Sequence, residues 1–289
     1  MATRSIIETL PEECVSEILS HTSPPDACRF SMLSSTLRSA ANSDMLWRSF
    51  LPSDYSDIIS RALNPLFLNS SSSFKDLFKA LCNPLLLDGG TMIFKLDKSS
   101  GKKSYILSAR ELSITWSSDP LYWTWKPMRE SRFQEVAELR TVSWLQIQGK
   151  IRTQILTPNM LYSVYLIMNV SHRGYGLDSA PSEVSSTVAN NVMHTKKVYL
   201  WNKNEKNMCE KYTLFRGFHR DVARETLIIQ DQINPGPLKR DDGWMEIEVG
   251  EFFCDGEIDE EVKVSVMEVG YQLKGGLIVE GIEVRPKQV

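Results

Sequence analysis

The hydrophobic pattern of the chain changes its period once along the sequence, and this change limits the possible folds more than any other feature. In residues 8–82, apolar residues recur at the three- and four-residue spacing of helices. In residues 90–289, short runs alternate between apolar and polar side chains, as in residues 262–267, and such alternation is typical of half-buried strands. The sequence therefore predicts a small helical part followed by a larger part made of β-strands.

The second part has the pattern of antiparallel sheets. Residues 161–169 are apolar on both faces, as in the central strand of a sheet. Turn signals such as Asp255-Gly256 and Gly275-Gly276 separate further short runs, and no helical runs alternate with them. This order is typical of a sandwich or jelly roll of two packed sheets. We therefore predict an α+β multidomain chain, in which a small N-terminal α-helical module precedes an all-β jelly-roll sandwich.

Composition excludes several classes of protein. With 33 basic and 36 acidic residues the net charge is −3 and no basic stripe is present, so we expect no nucleic-acid partner. No apolar run reaches the roughly 18 residues of a membrane span, and the N-terminus has no secretory signal. The cysteines are scattered, which indicates reduced thiols and a cytoplasmic or nuclear protein. The histidines lack ligand spacing and no nucleotide-binding motif is present, so we expect no metal and no cofactor.

Residues 10–51 hold more large apolar side chains than a unit of about 40 residues can bury. Some of these side chains are therefore expected to contact another protein, with a helix face set against a groove. In the alternative, the helices cap the β part of the same chain.

The order of residues in this segment resembles the F-box. The resemblance is carried by Leu10, Pro11, Ile18, Leu19, Asp26, Leu46 and Trp47. It implies a three-helix module that binds a Skp-type adaptor and so joins a cullin-based ubiquitin ligase. The residues that it assigns to the adaptor surface are Leu10, Pro11, Ile18 and Leu19. It divides Trp47 between the core of the module and the adaptor contact.

Aromatic residues are concentrated around the turn signal Asp119-Pro120. Three tryptophans and a tyrosine lie within ten residues there, at Trp116, Tyr122, Trp123 and Trp125. A ring beside a turn suits a ligand with an apolar face and polar edges, and a pyranose has this form. In the alternative, the tryptophans fill the core, as large aromatic side chains usually do.

The run 243–261 ends a predicted strand and enters a loop rich in acidic residues. Ionised carboxylates accept hydrogen bonds from sugar hydroxyls, and such charge-assisted bonds are strong. The order of the acids does not match a calcium-binding loop. Two other interpretations stay open: a solvated acidic turn, and the acid/base pair of a glycosidase.

Blocks of sequence from about residue 90 to the C-terminus resemble the phloem lectin family, also called the Nictaba-like lectins. They include residues 109–116, 120–123, 144–151, 162–166, 242–247, 250–253 and 281–286. Together with the F-box, they resemble the plant F-box/phloem-protein subfamily. The resemblance implies a jelly roll that binds N-acetylglucosamine oligomers or N-glycan cores without a metal.

By position, the resemblance assigns the ligand-binding tryptophans to Trp116 and Trp123 and the first acidic contact to Glu251. The second acid falls in a loop that departs from the family pattern, so its assignment is less direct. We assign it to Glu257, with Asp255 and Asp259 as rivals. We expect the two indoles and the acids to form one open cradle for a sugar.

We therefore predict three domains: the F-box in residues 1–52, a helical linker in residues 53–87, and a lectin domain in residues 88–289. The predicted function is that of a substrate-receptor subunit of an SCF-type (Skp–cullin–F-box) ubiquitin ligase, which captures glycoproteins or chitin-type oligosaccharides and carries no catalytic residue. Two alternatives are an F-box receptor whose jelly roll binds protein surfaces and has lost sugar binding, and a glycosidase.

Overall fold

The chain divides into two units between Tyr105 and Ile106. In this computed structural model, the described residues are 10–65, 73–189, 191–201 and 236–287. The helices and the first two strands belong to the first unit, and the other strands lie wholly or partly in the second. Among the described residues, no helix has both the length and the apolar character needed to cross a membrane.

Serine side chains begin four of the helices in this part of the chain. The hydroxyls of Ser23, Ser34, Ser43 and Ser73 each accept a hydrogen bond from the backbone N–H three residues further on. Each bond satisfies a donor that the start of a helix otherwise leaves unpaired. The described helices are α1 (Glu12–Ser20), α2 (Pro24–Phe30), α3 (Ser35–Ala41), α4 (Asp44–Phe50), α5 (Tyr55–Ser60) and α6 (Phe74–Leu81).

The first four helices enclose a small apolar core. Its buried members are Val15, Leu19, Ala27, Leu37, Ala40, Ala41 and Leu46. Trp47 enlarges this core, since its ring centre lies 5.7 Å from that of Phe50 and 5.4 Å from that of Phe78. Phe78 belongs to α6, so the sixth helix packs on the module formed by the first four.

Residues beyond the helices complete the first unit. Strands β1 (Leu85–Leu87) and β2 (Met92–Leu96) pair in antiparallel register. The Arg61 guanidinium on the helical side pairs with the Asp88 carboxylate, and the Lys103 ammonium lies 2.7 Å from an oxygen of Asp54. These contacts join the helices to the residues that follow them, up to the end of the first unit at Tyr105. The predicted boundaries after residues 52 and 87 stay predictions.

The second unit is built from antiparallel strands. β3 (Lys103–Ser108) enters it and is followed by the remaining strands. They are β4 (Ser113–Ile114), β5 (Trp123–Lys126), β6 (Val136–Leu139), β7 (Val142–Arg152), β8 (Met160–Tyr175), β9 (Ser182–Val188), β10 (Asn191–Val198), β11 (Leu238–Lys239), β12 (Met245–Cys254) and β13 (Glu261–Pro286).

Strand β13 belongs to both sheets of the second unit. Its first part, residues 261–269, pairs with β7 and β9, and β4 and β10 extend that sheet on either side. Its last part, residues 275–286, pairs with β8, and β12 and β11 follow in order. A strand that bends from one sheet into another makes a corner of a sandwich. The predicted fold class, helices followed by a large antiparallel β structure, is confirmed.

A buried ion pair holds the bend of β13. The Lys274 ammonium lies 3.1 Å from a carboxylate oxygen of Glu268, and both side chains are buried. The same ammonium donates to the carbonyl oxygens of Ser143 at 2.7 Å and Gln272 at 3.2 Å. Because a buried charge is tolerated only when it is paired and hydrogen-bonded, this network fixes the path of residues 269–273.

The two strands that the sequence pattern singled out are present. Val262, Val264 and Val266 are buried and alternate with more exposed neighbours in β13. Residues 161–169 lie in β8, which pairs with β12 on one side and with β13 on the other. Both predictions are confirmed.

Candidate functional site

The loop between β4 and β5 holds one tryptophan in an unusual backbone conformation. Trp116 has φ of 61°, in the left-handed region. A large side chain is rare in this region, and the conformation costs about 1–3 kcal/mol. Trp116 is also 43% exposed. The chain thus keeps a strained residue whose indole faces water.

Two neighbouring indoles fix the backbone on either side of Trp116. The Trp123 Nε1–H donates to the carbonyl oxygen of Thr115 at 3.1 Å. The Trp125 Nε1–H donates to that of Ser117 at 2.9 Å. Since both flanking carbonyls are bonded, the left-handed turn at this position is imposed by its surroundings.

The Trp125 indole is itself held in place by a cation. The Arg110 guanidinium lies 3.7 Å from the centre of the Trp125 ring. The same guanidinium forms an ion pair with the Glu135 carboxylate. A guanidinium over an aromatic face is attracted by the ring electrons, so this contact keeps Trp125 in place to donate its hydrogen bond.

Trp123 itself has no open ring face. It is 2% exposed and begins β5, where it pairs with Leu139 of β6. Trp116 and Trp123 are predicted above to be two open rings, and the structure corrects this geometry. Trp123 is the first residue of β5, and its indole is buried where it bonds the Thr115 carbonyl.

Tyr122 takes the place expected for the second ring. Its ring centre lies 5.1 Å from that of Trp116, with 34° between the planes. The Tyr122 carbonyl accepts a hydrogen bond of 2.8 Å from the N–H of Arg140. Offset aromatic pairs at such distances add stability beyond the area that they bury. The ring of Tyr122 therefore supports one side of the exposed indole.

Other aromatic side chains lie exposed or half-buried at the same end of the second unit, which we call the aromatic end. Its members are Trp116, Tyr122, Trp144, Tyr175 and Tyr271. Trp144 pairs across β7 and β13 with Val269, next to the bend held by Lys274. The Tyr175 hydroxyl lies 2.8 Å from the hydroxyl of Thr141, beside Arg140. Tyr175 lies in the turn signal Gly174-Tyr175-Gly176, but no local pattern connects it, Trp144 or Tyr271 with Trp116.

Glu251 lies on β12 with its carboxylate in an ion pair with Lys287. The hydrogen bond from the Lys287 ammonium holds the pKa of Glu251 below its usual value. Next to it, Gly250 leaves room for β9, because a Cβ there would lie 2.5 Å from Ser186 Oγ. The Ser186 hydroxyl donates to the Glu251 carbonyl at 3.0 Å. Glu251 is thus tied to the β9 side of the sandwich.

The acidic turn after β12 uses two of its carboxylates to hold its own backbone and its neighbours. Asp255 accepts a hydrogen bond of 3.1 Å from the Glu257 N–H. Asp259 accepts one of 3.2 Å from the Gln154 N–H and lies 3.3 Å from the Arg152 guanidinium. Glu257 itself is exposed.

The predicted indole pair and the predicted acids lie apart. Trp116 follows the point where β4 pairs with Ile147, while the acidic turn leads into Glu261, which pairs with Arg152. Continued by two residues, this register places Trp116 at the height of Leu145 on β7. From residue 145 to Arg152 is seven residues along β7, or about 23 Å at ~3.3 Å per residue. Glu251 adjoins β9, three strands from β4 and therefore about 14 Å away sideways at ~4.8 Å per strand. The expectation of one cradle formed by all four residues is wrong.

In the first unit, two of the five residues that the F-box resemblance assigns wholly or partly to the adaptor contact lie in the core. Leu19 and Trp47 are 3% and 2% exposed, and the Trp47 Nε1–H donates to the Ala41 carbonyl at 2.8 Å. Leu19 follows Ile18 on α1, and successive helix residues point about 100° apart. One of the pair therefore faces α3 and α4 while the other faces water.

The other three assigned residues are at least partly accessible. Pro11 and Ile18 are exposed, and Leu10 packs partly against the core. The structure adds three exposed apolar residues that the F-box resemblance did not assign, at Phe30, Met32 and Leu33. They lie at the end of α2 and in the turn that follows.

The described residues contain no group of three or more histidine, cysteine, aspartate or glutamate side chains placed to hold a metal ion. Chemically, the second unit offers a supported exposed indole at one end and separate carboxylates elsewhere. The first offers exposed apolar helix residues.

Comparison with known proteins identifies both parts of the chain. Residues 7–49 match the family described as F-box domain, and residues 102–286 match the family described as Phloem protein 2. The F-box protein PP2-B15 of Arabidopsis thaliana is 47% identical over 283 residues, which cover 96% of each chain. The F-box protein VBF of the same plant is 44% identical over 281 residues, covering 96% of this chain and 99% of that one.

Among solved structures, a family 35 carbohydrate-binding module from Clostridium thermocellum is similar with a TM-score of 0.31 and 10% identity, covering 63% of this chain and 96% of the module. A similarity of this size carries no argument about function. The two family matches and the relatives similar over nearly their whole length show the family: the chain belongs to the F-box proteins that carry a phloem protein 2 domain.

Proposed function

We propose that this protein is a substrate-receptor subunit of an SCF-type ubiquitin ligase, and that it recognises glycosylated proteins through a sugar site at the aromatic end of its second unit. It acts in the cytoplasm or nucleus as an adaptor without catalysis of its own. The first unit binds a Skp-type adaptor, and the second unit holds the target.

The exposed apolar residues of the first unit support the adaptor contact. Ile18 on α1 and Met32 and Leu33 after α2 are among its most exposed large apolar side chains. Complete burial of a fully exposed side chain of this kind contributes about 1.5–3 kcal/mol, and these three, at 48–71% exposed, would contribute a part of it. A helical partner with an apolar groove would remove them from water.

The strained, exposed indole of Trp116 is the observation that carries the sugar site. The neighbouring tryptophans bond the carbonyls on both of its sides, and Tyr122 supports its ring. Backbone strain that is held by its surroundings is concentrated at functional sites. A flat ring kept in water matches the apolar face of a pyranose.

The same loop also carries a carboxylate. Asp119 follows Trp116 by three residues, and its carboxylate accepts a hydrogen bond of 2.9 Å from the Leu121 N–H. The Asp119 N–H donates to the Trp116 carbonyl at 3.0 Å, which closes the turn between them. An ionised carboxylate has further lone pairs that accept hydrogen bonds from hydroxyls. Asp119 is therefore the acid of this loop that a sugar stacked on Trp116 would meet.

The expected affinity is modest. One indole that covers roughly 80–100 Å² of a sugar contributes about 2–2.5 kcal/mol at ~25 cal/mol per Å². The sugar hydroxyls add hydrogen bonds, while lost motion and desolvation offset several kcal/mol. Dissociation constants in the micromolar to millimolar range follow. Glu251 and Glu257 stay predictions as contacts, and given their distance from Trp116 they would bind a part of the target other than the stacked sugar.

A glycan array tests the proposal with the full-length chain. We expect the wild type to bind a subset of glycans and the Trp116→Ala variant to lose this binding. The matched control is Phe253→Ala, which removes another exposed aromatic ring, on β12, outside the aromatic end. Equal binding by wild type and Trp116→Ala would refute the sugar site.

The bend of β13 favours a second candidate function, in which the second unit grips a protein surface. Val269, Tyr271 and Leu273 are exposed on a bend that the buried Lys274–Glu268 pair holds in place. A target produced without glycans distinguishes the two functions. The protein-binding alternative would be supported if the wild type binds this target as well as the glycosylated one. Under that alternative, Tyr271→Ser should lose the binding and Trp116→Ala should keep it.

A further inference from the structure

The first unit contains an open cleft that the proposed function does not use. It lies between α2, α4 and α6 and has a volume of about 360 Å³, within the ~300–1,000 Å³ range of ligand sites. The residues that line it are Pro24, Pro25, Cys28, Trp47, Phe78, Lys79, Cys82, Asn83 and Lys98. Ile18, Phe30, Met32 and Leu33, which support the adaptor contact, are not among them.

The floor of the cleft is apolar and rigid. Pro24, Trp47 and Phe78 are buried, and the two aromatic rings pack with their centres 5.4 Å apart. The Trp47 indole is fixed by its bond to the Ala41 carbonyl. A floor of this kind suits one apolar side chain of a ligand, because the apolar surfaces on both sides leave water.

The rim of the cleft is cationic. Lys79 and Lys98 are exposed members of the lining, and none of the nine lining residues is acidic. The Lys75 ammonium, outside this lining, lies 5.1 Å from the centre of the Trp47 ring and donates to the Asn42 side-chain oxygen at 2.6 Å. Two ammonium groups thus line the opening directly.

One acid near the opening pairs with a lysine of the rim, and two others are engaged with groups outside the cleft. Asp76 lies 3.3 Å from the Lys79 ammonium, and Asp97 accepts hydrogen bonds from the backbone and hydroxyl of Ser100. Asp26 pairs with Arg29 on α2 at 2.7 Å. The cationic side chains reach the cleft from its rim, whereas no carboxylate is part of its lining.

We propose that this cleft binds an acidic peptide segment of a partner protein, with one apolar side chain of the segment on the floor and its carboxylates beside Lys79 and Lys98. Charge complementarity selects the partner, because a basic or neutral segment would gain nothing at this rim. The cationic groups come from a helix and from a separate loop, which suits an extended ligand more than a single anion.

Peptide selection on the full-length chain tests the proposal. The probe is a phage-displayed library of random 12-residue peptides, with removal of clones that also bind the support without protein. We expect enriched peptides to be acidic and to share an apolar residue. Synthetic copies should bind the Lys79→Glu/Lys98→Glu double variant about fivefold or more weakly than the wild type. The control is Lys197→Glu, which makes the charge change of one of these two substitutions at an exposed position on β10.

Cys28 lines the cleft, so its chemical modification reports whether a selected peptide binds there. Cys14 and Cys28 are exposed, while burial raises the pKa of Cys82 to about 11 and keeps it a thiol at neutral pH. In a Cys14→Ser/Cys209→Ser background, a bound selected peptide should slow the modification of Cys28 by maleimide, followed by mass spectrometry. Enrichment of neutral or basic peptides, equal binding by the double variant, or unchanged modification of Cys28 would overturn the proposal.

Discussion

Two tryptophans of this protein, Trp47 and Trp116, occupy opposite environments. Trp47 lies in the core of the first unit, with aromatic neighbours on both sides and its N–H bonded. Trp116 lies in a loop of the second unit, exposed and in a left-handed conformation. The first arrangement lowers the free energy of folding, whereas the second adds strain. The loop of the second unit is therefore organised around a ring that stays available to a ligand.

Removal of the Trp47 ring should have the largest effect on stability. The Trp47→Ala change leaves a cavity between α4 and α6 and should cost about 3–5 kcal/mol of the free energy of unfolding. We expect the first unit to unfold and adaptor binding to be lost, as measured by chemical denaturation and co-purification with a Skp-type adaptor. A loss below about 1 kcal/mol would contradict a core role for Trp47.

Loss of the Trp123 N–H should have an intermediate effect. Trp123→Phe keeps an aromatic ring in the core but leaves the Thr115 carbonyl without its indole donor, at a cost of about 1–3 kcal/mol. Because that carbonyl precedes Trp116, glycan binding should weaken together with stability. Unchanged binding in a destabilised Trp123→Phe variant would show that the bond does not position Trp116.

Replacement of Trp116 by glycine should separate stability from binding. Glycine adopts the left-handed conformation without strain, so Trp116→Gly should leave the free energy of unfolding unchanged or raise it by up to about 1 kcal/mol. Sugar binding should nevertheless disappear. If thermal unfolding instead shows a loss of more than about 1 kcal/mol, the ring is a packing element.

The smallest expected effect concerns the pH dependence of the Glu251–Lys287 pair. The pKa of Glu251 is lower in the folded protein than its ordinary value of 4.5 because Lys287 stabilises the carboxylate. A depressed pKa contributes stability above pH 4.5 that is lost as the pH falls through the folded value. Lys287→Gln should flatten this part of the stability profile. A profile identical to that of the wild type would show that the pair is inert.

The overall fold was accessible from the sequence because its signals are local. Alternation over residues 262–267 and an apolar run over 161–169 identify strands without reference to the rest of the chain. Serines before apolar runs likewise mark where helices begin. Helices α5 and α6 lie within residues 53–87, where a helical linker is predicted.

The arrangement of the site was less accessible because it depends on contacts that are distant in sequence. Whether Trp116 or Trp123 faces water is decided by the pairing of β5 with β6, not by the turn between the two residues. The distance between the acids and the indoles follows from the register of β7 and β13, which no local pattern encodes. Leu19 was assigned to the surface because an Ile-Leu pair does not indicate which member faces the core.

The most direct test of the sugar site is saturation-transfer NMR on the full-length chain with an N-acetylglucosamine trimer at millimolar concentration. We predict signals from the ring C–H protons of the sugar in the wild type and in Phe253→Ala, and their loss in Trp116→Ala. Equal signals in wild type and Trp116→Ala, or none in the wild type, would contradict the claim that an exposed, strained indole forms the sugar site.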